Sequence, residues 1–430
     1  MATASELQAL PSSPPRPAQP WGAALANRRF RTLLLVLAGV PILVAYAWYG
    51  LVWPLVSNQP DDFRQVYLEG ARVISAGGDP YQCGSGFCSG HAAGWLGLAG
   101  AVYPPFTLWV MQPFTRFDPA AVDAIALVAI NACLFAFIWV VVRALGIKDR
   151  QLIAAVTLLC ISFAPTLIEV QNRNFQVVLL LLSGVLLVAW RRGDRWWAGV
   201  ALGLGLAIKL VEAPLLLLGL WGRRWQLVVF GLATWAVLWL VAVPSLLPEY
   251  LLSVLPKAGR GSGDEMNVAP LGAVARIFHP ESLYLQGLGV DVPVLAVTAA
   301  IGLGVLALTA WALRSPRPDA QGRALELSAA FAAMPLLLTL VWAGQLVLLL
   351  LPMIVLLDLG LRLRSRRLVA AVAVSWLLIG PSYLAFTNAF AIGFGFPALF
   401  QVWVDSALAG AVLLWLGTLY ALRLNGVRNA

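Results

Sequence analysis

Residues 33–53 read LLLVLAGVPILVAYAWYGLVW, a run without a single charge and apolar on every helical face. A helix of that length is about 30 Å long, the thickness of a bilayer's hydrocarbon. Arg28, Arg29 and Arg31 stand just before it, where cytoplasmic anchors sit. Comparable apolar runs recur as far as Leu422. The 430-residue chain is 60% hydrophobic and 11% charged, whereas soluble domains carry roughly 25% charge. A soluble helical protein would need the polar helix faces that these runs lack. A membrane β-barrel is excluded because its strands are only about 10 residues of alternating pattern. The chain reads as an all-α polytopic membrane protein.

The formal charge of +9 is spread over short clusters between the apolar runs and does not signal nucleic-acid binding. After Arg28, Arg29 and Arg31, the clusters fall at 143–150, 191–195, 223–224, 314–323, 362–367 and 423–428. One threading places all of them in the cytoplasm, with both termini inside a cell's cytoplasmic membrane. It has about ten crossings, near 33–53, 121–143, 151–168, 175–190, 226–246, 291–313, 325–341, 344–360, 368–385 and 403–422. Residues 97–115 carry Pro104, Pro105 and Pro113, and residues 196–222 are interrupted by Lys209, Glu212 and Pro214. Both read as broken or re-entrant helices, which are tolerated only where protein or a cavity surrounds them. The total is then ten to twelve. Residues 1–27, rich in Pro, Ala and Ser, read as a disordered cytoplasmic tail rather than a cleavable signal peptide. Residues 28–430 read as one transmembrane domain with outside loops near 54–100, 247–290 and 386–402.

The first loop is the richest. Asp61 and Asp62 open the stretch DDFRQVYLEGARVI, which sets Phe63, Val66, Tyr67, Gly70 and Ile74 near one face. Such a segment could lie in the membrane interface and hold a carboxylate at headgroup depth. The plain alternative is a pair of solvated acids ending a span. An inverting glycosyl transfer needs one general base to take the acceptor's proton. Its lipid-phosphate leaving group needs cations or hydrogen-bond donors, not a protonated acid. Further on, Cys83 and Cys88 form CGSGFC, either a small disulfide loop or two free thiols. The only histidines are His91 and His279, so a His-rich metal site is excluded and no metal is expected.

DFRQVYLEGARVISAGGDPY, followed by AVYPPFTLWVMQPF, resembles the opening of glycosyltransferase family 87, polyprenyl-phosphate-sugar-dependent enzymes of the GT-C fold. Three later stretches fit in order. NRNFQVVLLLLSGVLLVAW resembles the family's Gly-Gln-x-Asn/Gln stretch, with Asn174 and Gln176 at the amide positions and Arg173 in place of the Gly. GVALGLGLAIKLVEAPLLLLGLWGRRW resembles its helix with a buried Lys before a Pro. LLLTLVWAGQLVLLLLPMIVLL resembles its Trp followed by an apolar span. The chain departs from the pattern near Trp342, where many relatives carry His and this chain has Ala343, Gly344 and Gln345. It departs again in the 261–276 loop, where Asn267 is followed by Val268 and Ala269. The resemblance implies a GT-C-like fold and a polyprenyl-phosphate sugar, most often mannose, as donor substrate rather than cofactor. It also implies a lipid-linked or glycan acceptor, transfer on the outer face, and a first-loop acid as base. Asp62 fits that place best and Asp61 is the runner-up.

Other polar residues carry paired readings. Lys209 is either ion-paired to Glu212 or a phosphate contact. Arg173, with Asn174 and Gln176, is either a snorkelling anchor or a capture site for the donor phosphate at a helix amino terminus. The 256–279 loop, with Asn267 and Arg276, is either a mobile cover or a solvated linker. Arg64, Tyr67 and Tyr103 belong near the mouth of the site, and Trp342 and Gln345 could line it. Membrane lipids are the surroundings, and no oligomeric state is implied. A transporter or flippase, and an inactive relative acting as an assembly partner, are the competing functions.

Overall fold

The computed structural model describes residues 28–57, 61–82, 101–193, 195–259, 261, 267–279, 290–315, 317–381 and 397–429. Among these the regular secondary structure is helical apart from one antiparallel bridge between Asn267 and Trp342. Cys83, Cys88 and the tail 1–27 lie outside the described residues.

The first helix, α1 (Arg28–Val56), covers the opening apolar run and ends at an extended Ser57. A π-helical turn at Phe63–Leu68 then runs into α2 (Glu69–Ser75). The chain continues through α3 (Pro105–Met111), α4 (Pro119–Leu145), α5 (Arg150–Ile161), α6 (Ala164–Gln171), α7 (Gln176–Arg191), α8 (Trp196–Ile208) and α9 (Leu210–Trp221). There follow α10 (Trp225–Ala242), α11 (Pro270–Phe278), α12 (Val292–Ala312), α13 (Ala320–Leu337), α14 (Ala343–Arg362), α15 (Arg366–Ile379) and α16 (Pro397–Asn429).

A helix stands at each of the ten expected crossings. Among the described residues, six qualify as membrane spans by length and composition: α1, α4, α10, α12, α14 and the 405–425 part of α16. The expected crossing at 151–168 is not one straight helix. It is the pair α5 and α6, bent by 58°. Pro165 lacks the N–H that a continuous helix needs, and its ring would clash with a helical carbonyl four residues earlier, at Ile161, where α5 ends. The helix stops, Phe163 is extended, and α6 restarts in a new direction. That restart delivers Glu169, Arg173 and Asn174 to the site.

The second expected break is present. Helix α8 ends at Ile208, and Lys209 is extended (φ −152°, ψ 135°). The Pro214 ring cannot coexist with a helical carbonyl four residues earlier. The freed carbonyl of Ile208 accepts from the Thr107 hydroxyl at 2.7 Å, so the broken backbone is satisfied inside the protein. Helices α8 and α10 pack backbone to backbone. A Cβ at Gly203 would lie 2.5 Å from the Gly231 carbonyl oxygen, and one at Gly199 would lie 2.7 Å from that of Gln226. This is the small-residue spacing that lets membrane helices approach closely.

The amphipathic 63–74 segment buries Phe63, Val66, Tyr67 and Gly70 as its pattern requires. The face they cover is protein, not the membrane interface. Gly70 sits on Leu108 of α3, where an added Cβ would come within 3.1 Å of Leu108 Cδ2. Lys209 and Glu212 do not pair either. The break puts Lys209 off the helix, so the shared face their spacing implies does not exist, and the Glu212 carboxylate packs against Gly205.

Candidate active site

The two adjacent acids go to opposite surroundings. Asp61 is buried, and one of its oxygens is ion-paired to the Arg173 guanidinium. Its other oxygen accepts the Arg64 backbone N–H at 2.9 Å. Burial pushes the Asp61 carboxyl up, and the Arg173 guanidinium with the Arg64 amide pulls it back. Arg173 is 2% exposed and also donates to the Pro54 carbonyl at 2.6 Å. Arg64 pairs with the buried Asp123, Nε to Oδ2 at 2.5 Å. Asp61, Arg173, Arg64 and Asp123 thus form one charge network, buried except at Arg64, that ties the first loop to α4 and to the α6–α7 turn.

Arg173 itself sits in the left-handed region (φ 48°). It follows the end of α6, where a left-handed residue closes the helix and Gly is the usual occupant. Here the arginine bears about 1–2 kcal/mol of backbone strain, set against its bonds to Asp61 and Pro54.

Asp62 is only partly buried. Its Oδ2 accepts from the Asn174 amide Nδ2 at 2.7 Å and from the Tyr103 hydroxyl at 3.0 Å. Among the described residues nothing donates to its Oδ1. The Asn174 amide oxygen accepts from Lys209 Nζ at 2.8 Å, from the Tyr67 hydroxyl at 2.9 Å and from the Gln176 backbone N–H at 3.0 Å. The Tyr67 ring stacks on Phe175 (4.7 Å) and packs at a tilt of 47° against Tyr103 (4.6 Å). Burial and the Asp62 charge push both tyrosine phenols well up, so they remain hydrogen-bond donors. The π-helical turn beginning at Phe63 brings Tyr67 under Asn174, and such turns often mark functional sites.

Asp61, Asp62, Arg64, Tyr67, Tyr103, Arg173, Asn174, Gln176 and Lys209 are therefore gathered in one place. Asn267, Arg276, Trp342 and Gln345 form a second cluster. Asn267 is fully buried; its side-chain oxygen accepts from the Val341 and Ala269 amides, and its nitrogen donates to the Thr339 carbonyl. Arg276 donates to the Asn267 carbonyl at 3.1 Å and to Asp405 at 2.5 Å. Gln345 caps the Trp342 backbone N–H at 3.4 Å. Glu169 joins the two clusters. Its carboxylate lies over Gly344, where a Cβ would be 2.1 Å from Oε1, and its charge faces Lys209 and Asp62.

Sequence reasoning missed Glu169 and Asp123. Glu169 had a signal: it is the lone acid of the apolar helix APTLIEVQ, five residues before Asn174. Asp123 had little, because it looks like a helix-start acid beside the capping Asp118.

A family model described as Glycosyltransferase family 87 matches residues 101–339, more than half of the chain. A polyprenol-phosphate-mannose-dependent α-(1-2)-phosphatidylinositol pentamannoside mannosyltransferase of Mycolicibacterium smegmatis is 28% identical, over 70% of this chain and 71% of its own length. A polyprenol-phosphate-mannose-dependent α-(1-2)-phosphatidylinositol mannoside mannosyltransferase of Mycobacterium tuberculosis is 29% identical, over 50% of this chain and 51% of its own. An α-(1->3)-arabinofuranosyltransferase of Mycobacterium tuberculosis is 27% identical, over 44% of this chain and 42% of its own.

Proposed function

Since the chain belongs to glycosyltransferase family 87 and is a multi-pass membrane glycosyltransferase, we propose that it moves a sugar from a polyprenyl-phosphate donor to an acceptor hydroxyl, with inversion and with Asp62 as general base. The observation that carries this reading is the contrast between the two acids. Asp61 is consumed by Arg173, whereas Asp62 is held by two neutral donors on one oxygen and keeps its Oδ1 lone pairs.

The acceptor oxygen attacks the anomeric carbon, its proton passes to Asp62 Oδ1, and the bond from that carbon to the phosphate oxygen breaks. The polyprenyl phosphate leaves with the bonding pair. Arg64, whose side chain is 37% exposed, is the cation of the cluster most open to a phosphate. A phosphate monoester leaves without a pyrophosphate to neutralise, so the step calls for no metal or cofactor.

Mannose is the proposed sugar, supported by the names of the two mannosyltransferase relatives. Arabinofuranose is the second reading, favoured by the third relative. The acceptor is proposed to be a lipid-linked or other glycan hydroxyl. The site is proposed to face outward, with both termini in the cytoplasm of the cell that carries the membrane.

The test is transfer of radiolabelled sugar from polyprenyl-phosphate-mannose, and from the arabinofuranose donor, by membranes with wild type, Asp62→Asn or Asp61→Asn. Transfer by wild type and none by Asp62→Asn is expected. Full transfer by Asp62→Asn would remove the base, and wild-type transport of a lipid sugar without transfer would favour a flippase.

A further inference from the structure

Three donors converge on one atom, the side-chain oxygen of Asn174: the Lys209 ammonium, the Tyr67 hydroxyl and the Gln176 amide. An amide nitrogen accepts nothing, so three donors fix which end of the amide is which. The Asn174 nitrogen must then point the other way, at Asp62 Oδ2. The Lys209 ammonium also lies 4.8 Å over the ring of Tyr103, whose hydroxyl is the second donor to the same Asp62 oxygen. Lys209 therefore touches both groups that hold Asp62, and makes no ion pair with Asp62 itself.

The ammonium reaches this place because Lys209 is the extended residue of a broken helix, and it is 6% exposed. A buried ammonium needs a counter-charge. Glu169 is 3% exposed, and its Oε2 accepts no hydrogen bond. The absence of a side chain at Gly344 leaves the room its carboxylate occupies. An unbonded buried carboxylate is costly unless a cation offsets it; Lys209 acts on it through charge alone, with no ion pair within 4 Å between the two.

We propose that Lys209 is a positioning residue that locks the Asn174 amide onto Asp62, with Glu169 as its counter-charge, and that it does not contact the donor phosphate. This rests on Asp62 being the base. The lock leaves Asp62 one engaged oxygen and one free one, and so sets which lone pair meets the acceptor.

The test uses purified full-length protein and three readouts. These are affinity for polyprenyl phosphate alone, kcat and KM in transfer, and the infrared band of the Asp62 carboxylate, isolated as wild type minus Asp62→Asn. In Lys209→Met, polyprenyl phosphate should bind within about twofold of wild type. Loss of alignment of the base should lower kcat by about 100-fold, with KM for the donor unchanged. The Asp62 band should move, because the amide donor is no longer fixed. Lys209→Arg should recover part of kcat. If Lys209→Met misfolds, Lys209→Met/Glu169→Gln removes both buried charges and gives the same test. Tyr67→Phe, which deletes a donor to the same oxygen without touching a charge, should move the band in the same direction by less. A tenfold loss of polyprenyl phosphate affinity with kcat and band unchanged would make Lys209 a phosphate contact and overturn the proposal. An unmoved band would overturn it as well. Full activity in Asp62→Asn would sink the base reading, and a wild type that neither binds nor transfers would sink both.

Discussion

Asn in place of Asp61 and Asn in place of Asp62 should produce opposite phenotypes, although the residues are neighbours. Asp61→Asn removes one partner of a buried ion pair and leaves the Arg173 guanidinium, 2% exposed, facing a neutral amide. Breaking such a pair from one side costs about 3–5 kcal/mol. At about 2–4 °C per kcal/mol for a domain of 150–250 residues, and less for a longer chain, the melting temperature should fall by several degrees. Asp62→Asn keeps an oxygen where Tyr103 and Asn174 donate, and the site is partly solvated. Its cost to stability should be under about 1 kcal/mol. Its cost to transfer should be the whole contribution of a general base, about 100- to 10,000-fold. The assay pairs thermal melting of detergent-purified protein with transfer rate at a temperature where every variant is folded. If Asp62→Asn melted as low as Asp61→Asn, with both losing transfer in step, Asp62 would be a structural acid. If Asp61→Asn melted normally yet transferred nothing, the assignment of roles would be reversed.

Ala in place of Gly344 puts a Cβ 2.1 Å from Glu169 Oε1, so the carboxylate must move off; transfer should drop while expression and melting change little. Gly203→Leu should be far more damaging, because even its Cβ would sit 2.5 Å from a backbone oxygen of α10 that cannot give way; loss of monodisperse protein on size exclusion is the readout. Arg276→Ala should lower stability by about 2–3 kcal/mol, since its side chain is fully buried while its partner Asp405 is 31% exposed and half recovers its hydration. Glu212→Gln should leave transfer unchanged and raise the melting temperature slightly, because neither Glu212 oxygen has a partner to lose and an unpaired buried charge is removed.

Much of this arrangement was legible in the sequence, for stated reasons. Uncharged runs and arginine clusters locate the helices because burial in lipid and anchoring at its surface leave compositional marks. The interruption at Lys209 and Pro214 was legible because proline and a charge both oppose a continuous apolar helix. The bend at Pro165 is not legible in the sequence, because one proline near the end of the 151–168 run is also compatible with a kinked single span. The pairing of Lys209 failed for a related reason. Spacing of three residues puts two side chains on one face only if the helix is continuous between them, and here the backbone turns at the lysine. Glu169 and Asp123 escaped because a long-range partner, not local pattern, gives them their place.

The order of the two acids is where sequence logic stops and the fold decides. Two adjacent carboxylates repel, and from the sequence either one could be the inward residue. Asp61 stands just before the helical turn that begins at Asp62, and the two side chains part there, Asp61 into the interior and Asp62 to a partly exposed position. What selects Asp61 for the interior is Arg173, held left-handed at the end of α6 with its guanidinium against Pro54. An arginine at this left-handed position, where glycine is the usual occupant, supplies the charge that takes Asp61 out of play. Asp61 is paired with a cation, while Asp62 beside it is held by donors that carry no charge. The departure at residue 173 and the availability of Asp62 are thus one feature of the structure. A chain with glycine there would have to separate its two acids by other means, or do without the second.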